Sequence, residues 1–281
     1  MKIGTNCLAV ALATALSPAV AQAQNLFVSD SGSGNIYEFT PGGVQSTFAS
    51  GLSGPTGLAF DSVGNLLVSA GNNVYELTPN GARSTLNYGF SSPQSLAFDS
   101  AGNLCEADLG SGNIYKFTPS GTRSTIASGL VALTGLTFDG TGNLFVTSGV
   151  GNIYKITPGG TRSTFASGLA KPSGLAFDSS GNLFEADSGS GHIYEFALDA
   201  TRSTFASGLS PYGLAFDSAG NLFESDSSGH VYEFTPNGTR STFASGLSQP
   251  AFLAFQPVPE PSTWAMLGMG AFALLGFRRR K

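Results

Sequence analysis

Two short stretches hold both histidines of the chain, and both read acid, spacer, acid, turn, histidine: Glu185, Asp187 and His192, then Glu224, Asp226 and His230. A third keeps the acids, Glu106 and Asp108, with Asn113 where the histidine would be. Residues two apart on a strand share a face, so each pair of acids would stand side by side. If the chain turns back directly after each aspartate, Asp187 faces His192, Asp226 faces His230 and Asp108 faces Asn113. Glu185, Glu224 and Glu106 then face Tyr194, Tyr232 and Tyr115. Carboxylates beside imidazole can ligate a divalent metal such as calcium or exchange protons with a substrate. The same pattern also has a structural meaning, in which histidine replaces the polar Asn of other copies (Asn35, Asn73, Asn152) and each aspartate orders its own Gly-Ser turn.

These stretches are copies of one unit. The position held by Glu106, Glu185 and Glu224 is Val28, Val68 and Val146 elsewhere, and the aspartate position is also Asp30, Ala70 and Ser148. An ionised carboxylate cannot sit unpaired where other copies bury valine, so the three glutamates must be paired, protonated or open to solvent. Aligning the Phe-Asp pairs gives Asp61, Asp99, Asp139, Asp178 and Asp217, spaced by 38, 40, 39 and 39 residues. Each precedes a Gly-Asn pair and suits a side chain that caps its own turn. Every copy offers four short strands, typified by GLAF, NLFVSD, NIYEFTP and RSTFAS.

A period near 40 residues with four strands per unit predicts a β-propeller. The chain opens with a copy that lacks only its first strand and ends the repeats with that missing piece, so six blades arise if residues 247–256 complete the first. The expected fold is therefore an all-β, six-bladed propeller over 24–256, with the C-terminal strand hiding edges that an open array would expose. The identical RSTFASGL at 162–169, 202–209 and 240–247 falls on the outermost strand, with Arg83, Arg123, Arg162, Arg202 and Arg240 in register and Gln45 in the remaining copy. A charged edge discourages edge pairing, and a perimeter of arginines could also hold an acidic exopolysaccharide.

The pattern P-x-G-L-A-F-D-x-x-G-N-L-F-x-x-D, at 172–187, resembles NHL-repeat propellers and is similar to the gluconolactonase and senescence-marker-protein group. The latter resemblance implies carboxylates and an Asn around a divalent metal in the central channel, with hydrolysis of sugar lactones or esters. The Glu-Gly-Pro type of motif that supplies one such ligand is absent here. Zinc-type Cys/His spacing, a phosphate-binding glycine loop and a Gly-x-Ser-x-Gly elbow are absent as well.

The two ends differ from the repeats. Lys2, an apolar run over 8–16 and Ala-Gln-Ala at 21–23 read as a signal peptide, 1–23, cleaved after Ala23 by signal peptidase. Cys7 leaves with it, and Cys105, which falls where other repeats have Phe or Leu, is expected to be a buried thiol. Residues 257–281 carry Pro259, Glu260 and Pro261, an apolar stretch over 263–277 and a basic end, Arg278, Arg279, Arg280 and Lys281. This tail resembles the PEP-CTERM sorting signal of Gram-negative bacteria. The resemblance implies a short transmembrane helix that holds the chain in the inner membrane transiently, then processing by an exosortase and delivery to the cell surface or the extracellular matrix of a biofilm. The formal charge of −5 conceals a middle with eight basic and eighteen acidic residues. Such a surface repels phosphate backbones and argues against nucleic acid. Three functions stay open on these grounds: a binding or structural surface protein that holds glycans, a metal-dependent hydrolase or lyase, and an architectural spacer without a specific ligand.

Overall fold

The structure, a computed structural model, describes residues 24–86 and 89–258. The signal peptide, the Pro-Glu-Pro triplet and the apolar C-terminal helix expected from the sequence lie outside the described residues. Six four-stranded antiparallel sheets stand around one axis. Blade five is representative, with strands Pro172–Phe177, Leu183–Asp187, His192–Phe196 and Arg202–Ser207 running from the axis outward. Among the described residues there is no helix.

Burial follows the same order in every blade. The second strand is buried at every residue because it has sheet neighbours on both sides and blades on both faces, as in Leu183–Asp187. The third buries its second and fifth residues, Ile193 and Phe196 in this blade, and the fourth begins exposed at Arg202, Ser203 and Thr204. Seams between blades are packed by aromatic triads. Phe145 meets Phe165 of its own blade and Phe177 of the next, ring centres 5.0 and 5.1 Å apart and edge to face. Phe184 with Phe205 and Phe216, and Phe223 with Phe243 and Phe255, repeat the geometry. Such pairs add about 0.5–1.5 kcal/mol each beyond the area they bury.

The first strands crowd around the axis. A Cβ on Gly174 would lie 2.4 Å from the Tyr212 carbonyl oxygen of the neighbouring blade, which is why this strand carries glycine. Closure happens as the incomplete first repeat predicts. Pro250–Phe255 pairs with Leu26–Asp30, setting Val28 against Leu253 and Asp30 against Pro250. Gln24, the residue after the expected cleavage point, donates to the Gln256 carbonyl at 2.9 Å. The ring therefore begins and ends on one sheet.

Candidate functional site

The hairpins have the register expected from their spacing. Asp187 pairs with His192 and Glu185 with Tyr194, Asp226 with His230 and Glu224 with Tyr232, Asp108 with Asn113 and Glu106 with Tyr115. Adjacency does not make these groups available, however. Asp187 accepts hydrogen bonds from the Gly189 and Ser190 amides of its own turn and from the Ala170 and Lys171 amides of the linker arriving from blade four, at 2.7–3.2 Å. Asp108 takes the Ser91, Ser92 and Ser111 amides. Asp226 takes the Ser210 and Ser228 amides and the Ser228 hydroxyl. Burial pushes the Asp226 carboxyl up, but the bonds from Ser228 and the Ser210 amide outweigh it and hold the group below its ordinary value. In blade one Asp30 accepts from the Ser248 and Gln249 amides across the ring closure.

The glutamates present the opposite case. Glu106, Glu185 and Glu224 are wholly buried, and both oxygens of each lack a hydrogen-bond partner. Burial, reinforced by the neighbouring aspartate, pushes each carboxyl up to about 9. The Ser173 amide and Arg202 near Glu185, and Arg240 and the Tyr212 amide near Glu224, pull weakly the other way. Of the three fates left open by the sequence, protonation is the one that fits, so these are neutral acids at pH 7.

The histidines join a different arrangement. His192 stacks on Tyr194 with ring centres 5.5 Å apart, and His230 on Tyr232 at 5.4 Å. In the other blades the Asn amide donates to the tyrosine hydroxyl instead, as Asn113 does to Tyr115 at 2.8 Å. On the neighbouring outer strand the arginine lies over the same tyrosine: Arg83 on Tyr75, Arg123 on Tyr115, Arg162 on Tyr154, Arg202 on Tyr194 and Arg240 on Tyr232, at 4.8–5.6 Å from the ring centre. The sequence pointed to these arginines as edge charges and as a perimeter for acidic polysaccharide. Their tyrosine partners appear only once the third and fourth strands are set in register.

A divalent metal would need several oxygens converging on one point. The aspartate oxygens are spent on amides, the glutamates are enclosed on separate blades, and among the described residues no three His, Cys, Asp or Glu side chains come together to hold an ion. These residues do not fit a metal. Openings between blades lie at the opposite end of the ring, and sequence reasoning missed them. One of about 360 Å³ lies between blades four and five. A smaller one of about 240 Å³, between blades three and four, has Cys105 in its lining. Cys105 is buried as expected, and burial pushes its thiol up to about 12.

Residues 257–281 match the family described as the PEP-CTERM protein-sorting motif. The chain carries a PEP-CTERM sorting signal. The signal implies export, processing by an exosortase-type enzyme and sorting toward the cell surface in Gram-negative bacteria. No curated protein matches the chain. Among solved structures, the propeller resembles a chain of a nidogen/laminin complex at a TM-score of 0.76, with 20% identity over 83% of this chain and 98% of that one. A virginiamycin B lyase from Staphylococcus aureus shares the fold at a TM-score of 0.61 and 15% identity, covering 80% of this chain and 85% of its own. A gluconolactonase from Xanthomonas campestris does so at 0.63 and 20%, covering 70% and 78%. At these identities the likenesses establish the six-bladed fold alone.

Proposed function

We propose that this is an exported propeller, cleaved after Ala23 and delivered to the cell surface or matrix, which binds anionic polysaccharide along its arginine perimeter. One observation carries the reading: five of six blades lay a guanidinium from the exposed outer strand over a tyrosine of the third strand. At Arg83, Arg202 and Arg240, stacking on the ring face leaves the N–H edge of the guanidinium able to meet a carboxylate or sulfate in a bidentate manner, whereas Arg162 already donates to the Ser128 carbonyl at 3.3 Å. Arg83, Arg202 and Arg240 make no ion pair among the described residues, where Lys116 with Asp99 at 2.8 Å is the salt bridge present. A site repeated around a ring suits a polymer that repeats along its length, because weak contacts multiply once one is made. A metal-dependent lactonase draws less support, since the acids it would use are capped or enclosed.

The test is binding of a polyuronate and of neutral dextran to the exported protein across a salt series. The proposal expects polyuronate binding that weakens with salt, no dextran binding, and at least a tenfold loss in the Arg83→Ala/Arg202→Ala/Arg240→Ala variant. Equal affinity for both polymers, or an unaffected variant, would refute it.

A further inference from the structure

A scaffold feature of a propeller is written once per blade, whereas a dedicated binding site occupies one place, so two repeat-breaking features that meet in one cleft deserve a functional explanation. The turn between third and fourth strands reads Thr-Pro-x-Gly in five blades, at 40–43, 78–81, 118–121, 157–160 and 235–238. Blade five replaces all the fixed positions with Ala197, Leu198, Asp199 and Ala200. The exchange has a backbone cost. Ala200 stands at φ 65°, in the left-handed region where Gly43, Gly81, Gly121, Gly160 and Gly238 stand at 78–83°, a conformation unfavourable for a residue with a Cβ.

What the exchange supplies is Leu198, which is 80% exposed and lines the mouth of the 360 Å³ cleft between blades four and five. Below it the cleft is lined by Phe145, Phe165, Phe177, Leu183 and Phe196. The second break comes from blade four. Four blades carry Glu at the fourth position of the third strand (Glu38, Glu76, Glu195, Glu233), and two carry Lys. Lys116 is neutralised by Asp99 at 2.8 Å. Lys155 instead lies over the Phe145 ring, 5.3 Å from its centre, inside the cleft and without an ion pair among the described residues. The two aspartates at the rim do not answer it. Asp139 holds the Thr141 and Asn143 amides and the Asn143 side chain, and Asp178 holds the Ser180 and Asn182 amides and the Asn182 side chain.

We propose that the cleft between blades four and five is a binding site for a small amphiphilic carboxylate, its apolar body against the phenylalanines and Leu198 and its charge at Lys155. The volume is within the range of small-molecule sites, and a mostly apolar lining with a few placed polar groups, here Lys155 within and Asp139 and Asp178 at the rim, is their usual make-up. A carboxylate is the partner that complements an ammonium lying on an aromatic face without an ion pair among the described residues, since the rim carboxylates of Asp139 and Asp178 are turned to the amides of their own turns. This site is at the opposite end of the ring from the hairpins of Asp187 and Asp226 and does not depend on the polysaccharide reading.

The experiment measures decanoate and decanol binding to the full propeller by calorimetry. Two variants restore the repeat and should therefore fold: Lys155→Glu, the residue of four other blades, and the quadruple A197T/L198P/D199N/A200G, the turn of blade six. The expected result is one decanoate per chain, with decanol at least tenfold weaker. Lys155→Glu should weaken decanoate at least tenfold while leaving decanol unchanged, and the restored turn should weaken both. Thermal melts check that each variant is folded. Failure of the native protein to bind decanoate, equal affinity for decanol, or binding unaltered in both folded variants would overturn the site.

Discussion

The two ends of the ring use aspartate in different ways. At the end where second-to-third hairpins meet the incoming linkers, each carboxylate reaches well away along the chain. Asp187 holds amides 16 and 17 residues earlier, and Asp30 holds amides 218 and 219 residues later. At the other end, Asp61, Asp99, Asp139, Asp178 and Asp217 take amides of their own turn, two and four residues ahead, and Asp99 alone of these adds an ion pair, to Lys116 of its own blade, among the described residues. One end is thus stapled between segments, while the other consists of self-contained turns with clefts between them. A self-contained turn can be altered without loosening its neighbours. The end that tolerates a divergent turn is therefore also the end at which a ligand cleft could arise.

The largest effect should come from the glutamates beneath the stapled end. Each has a carboxyl raised from 4.5 to about 9 by burial and the adjacent aspartate. Between those limits the unfolded chain has released the proton and the folded chain retains it, so stability falls as pH rises. The loss is on the order of 1 kcal/mol per pH unit for each glutamate. Urea unfolding at pH 5 and pH 8 should show a much less stable protein at pH 8. Glu185→Gln, which keeps shape without an ionisable proton, should remove its share of that slope and be more stable than the native protein at pH 8. An unchanged slope in this variant would mean that Glu185 is solvated and ionised.

Next in size is the contrast between the staples and the turns. Asp30→Ala strips acceptors from the Ser248 and Gln249 amides across the ring closure and from Gly32 and Ser33 within the hairpin. Charge-assisted bonds of this kind argue for a loss of about 3 kcal/mol. Asp61→Ala disturbs one turn, where water can replace the carboxylate, and should cost about 1 kcal/mol. Denaturant midpoints of the two variants check the ordering, and equal losses would dissolve the distinction between the ends.

Much of this architecture was legible because it is written repeatedly. Five Phe-Asp marks fixed the period, the missing first strand foretold the closure, and turn lengths after Asp108, Asp187 and Asp226 gave the hairpin register. What the repeat could not display was contact between segments that the ring brings together. The amides of Ala170 and Lys171 carry no side-chain signal marking them as partners of Asp187, so the aspartate could be read as a ligand as readily as a staple. The enclosure of Glu185 likewise depends on the blade in front of it. The cleft at the far end did have a signal, the loss of Thr-Pro-x-Gly at 197–200, but it appears as a damaged turn until Lys155 of the neighbouring blade is placed beside it.

The smallest effect tests that turn directly. Ala200 holds φ 65° where five sister turns use glycine, and its amide donates to the Ala197 carbonyl at 2.8 Å just as Gly160 donates to Thr157. The backbone path is therefore the same, and only the Cβ is out of place. Ala200→Gly should relieve that strain and stabilise the protein by up to about 1 kcal/mol, less the added freedom of glycine in the unfolded chain. A higher denaturant midpoint with an unchanged m-value is the expected observation. Because the substitution leaves Leu198 and Lys155 in place, it separates the stability of the turn from occupancy of the cleft. A turn retained for its own stability would lose by this exchange, whereas one retained for what it presents to the cleft would gain stability and still bind.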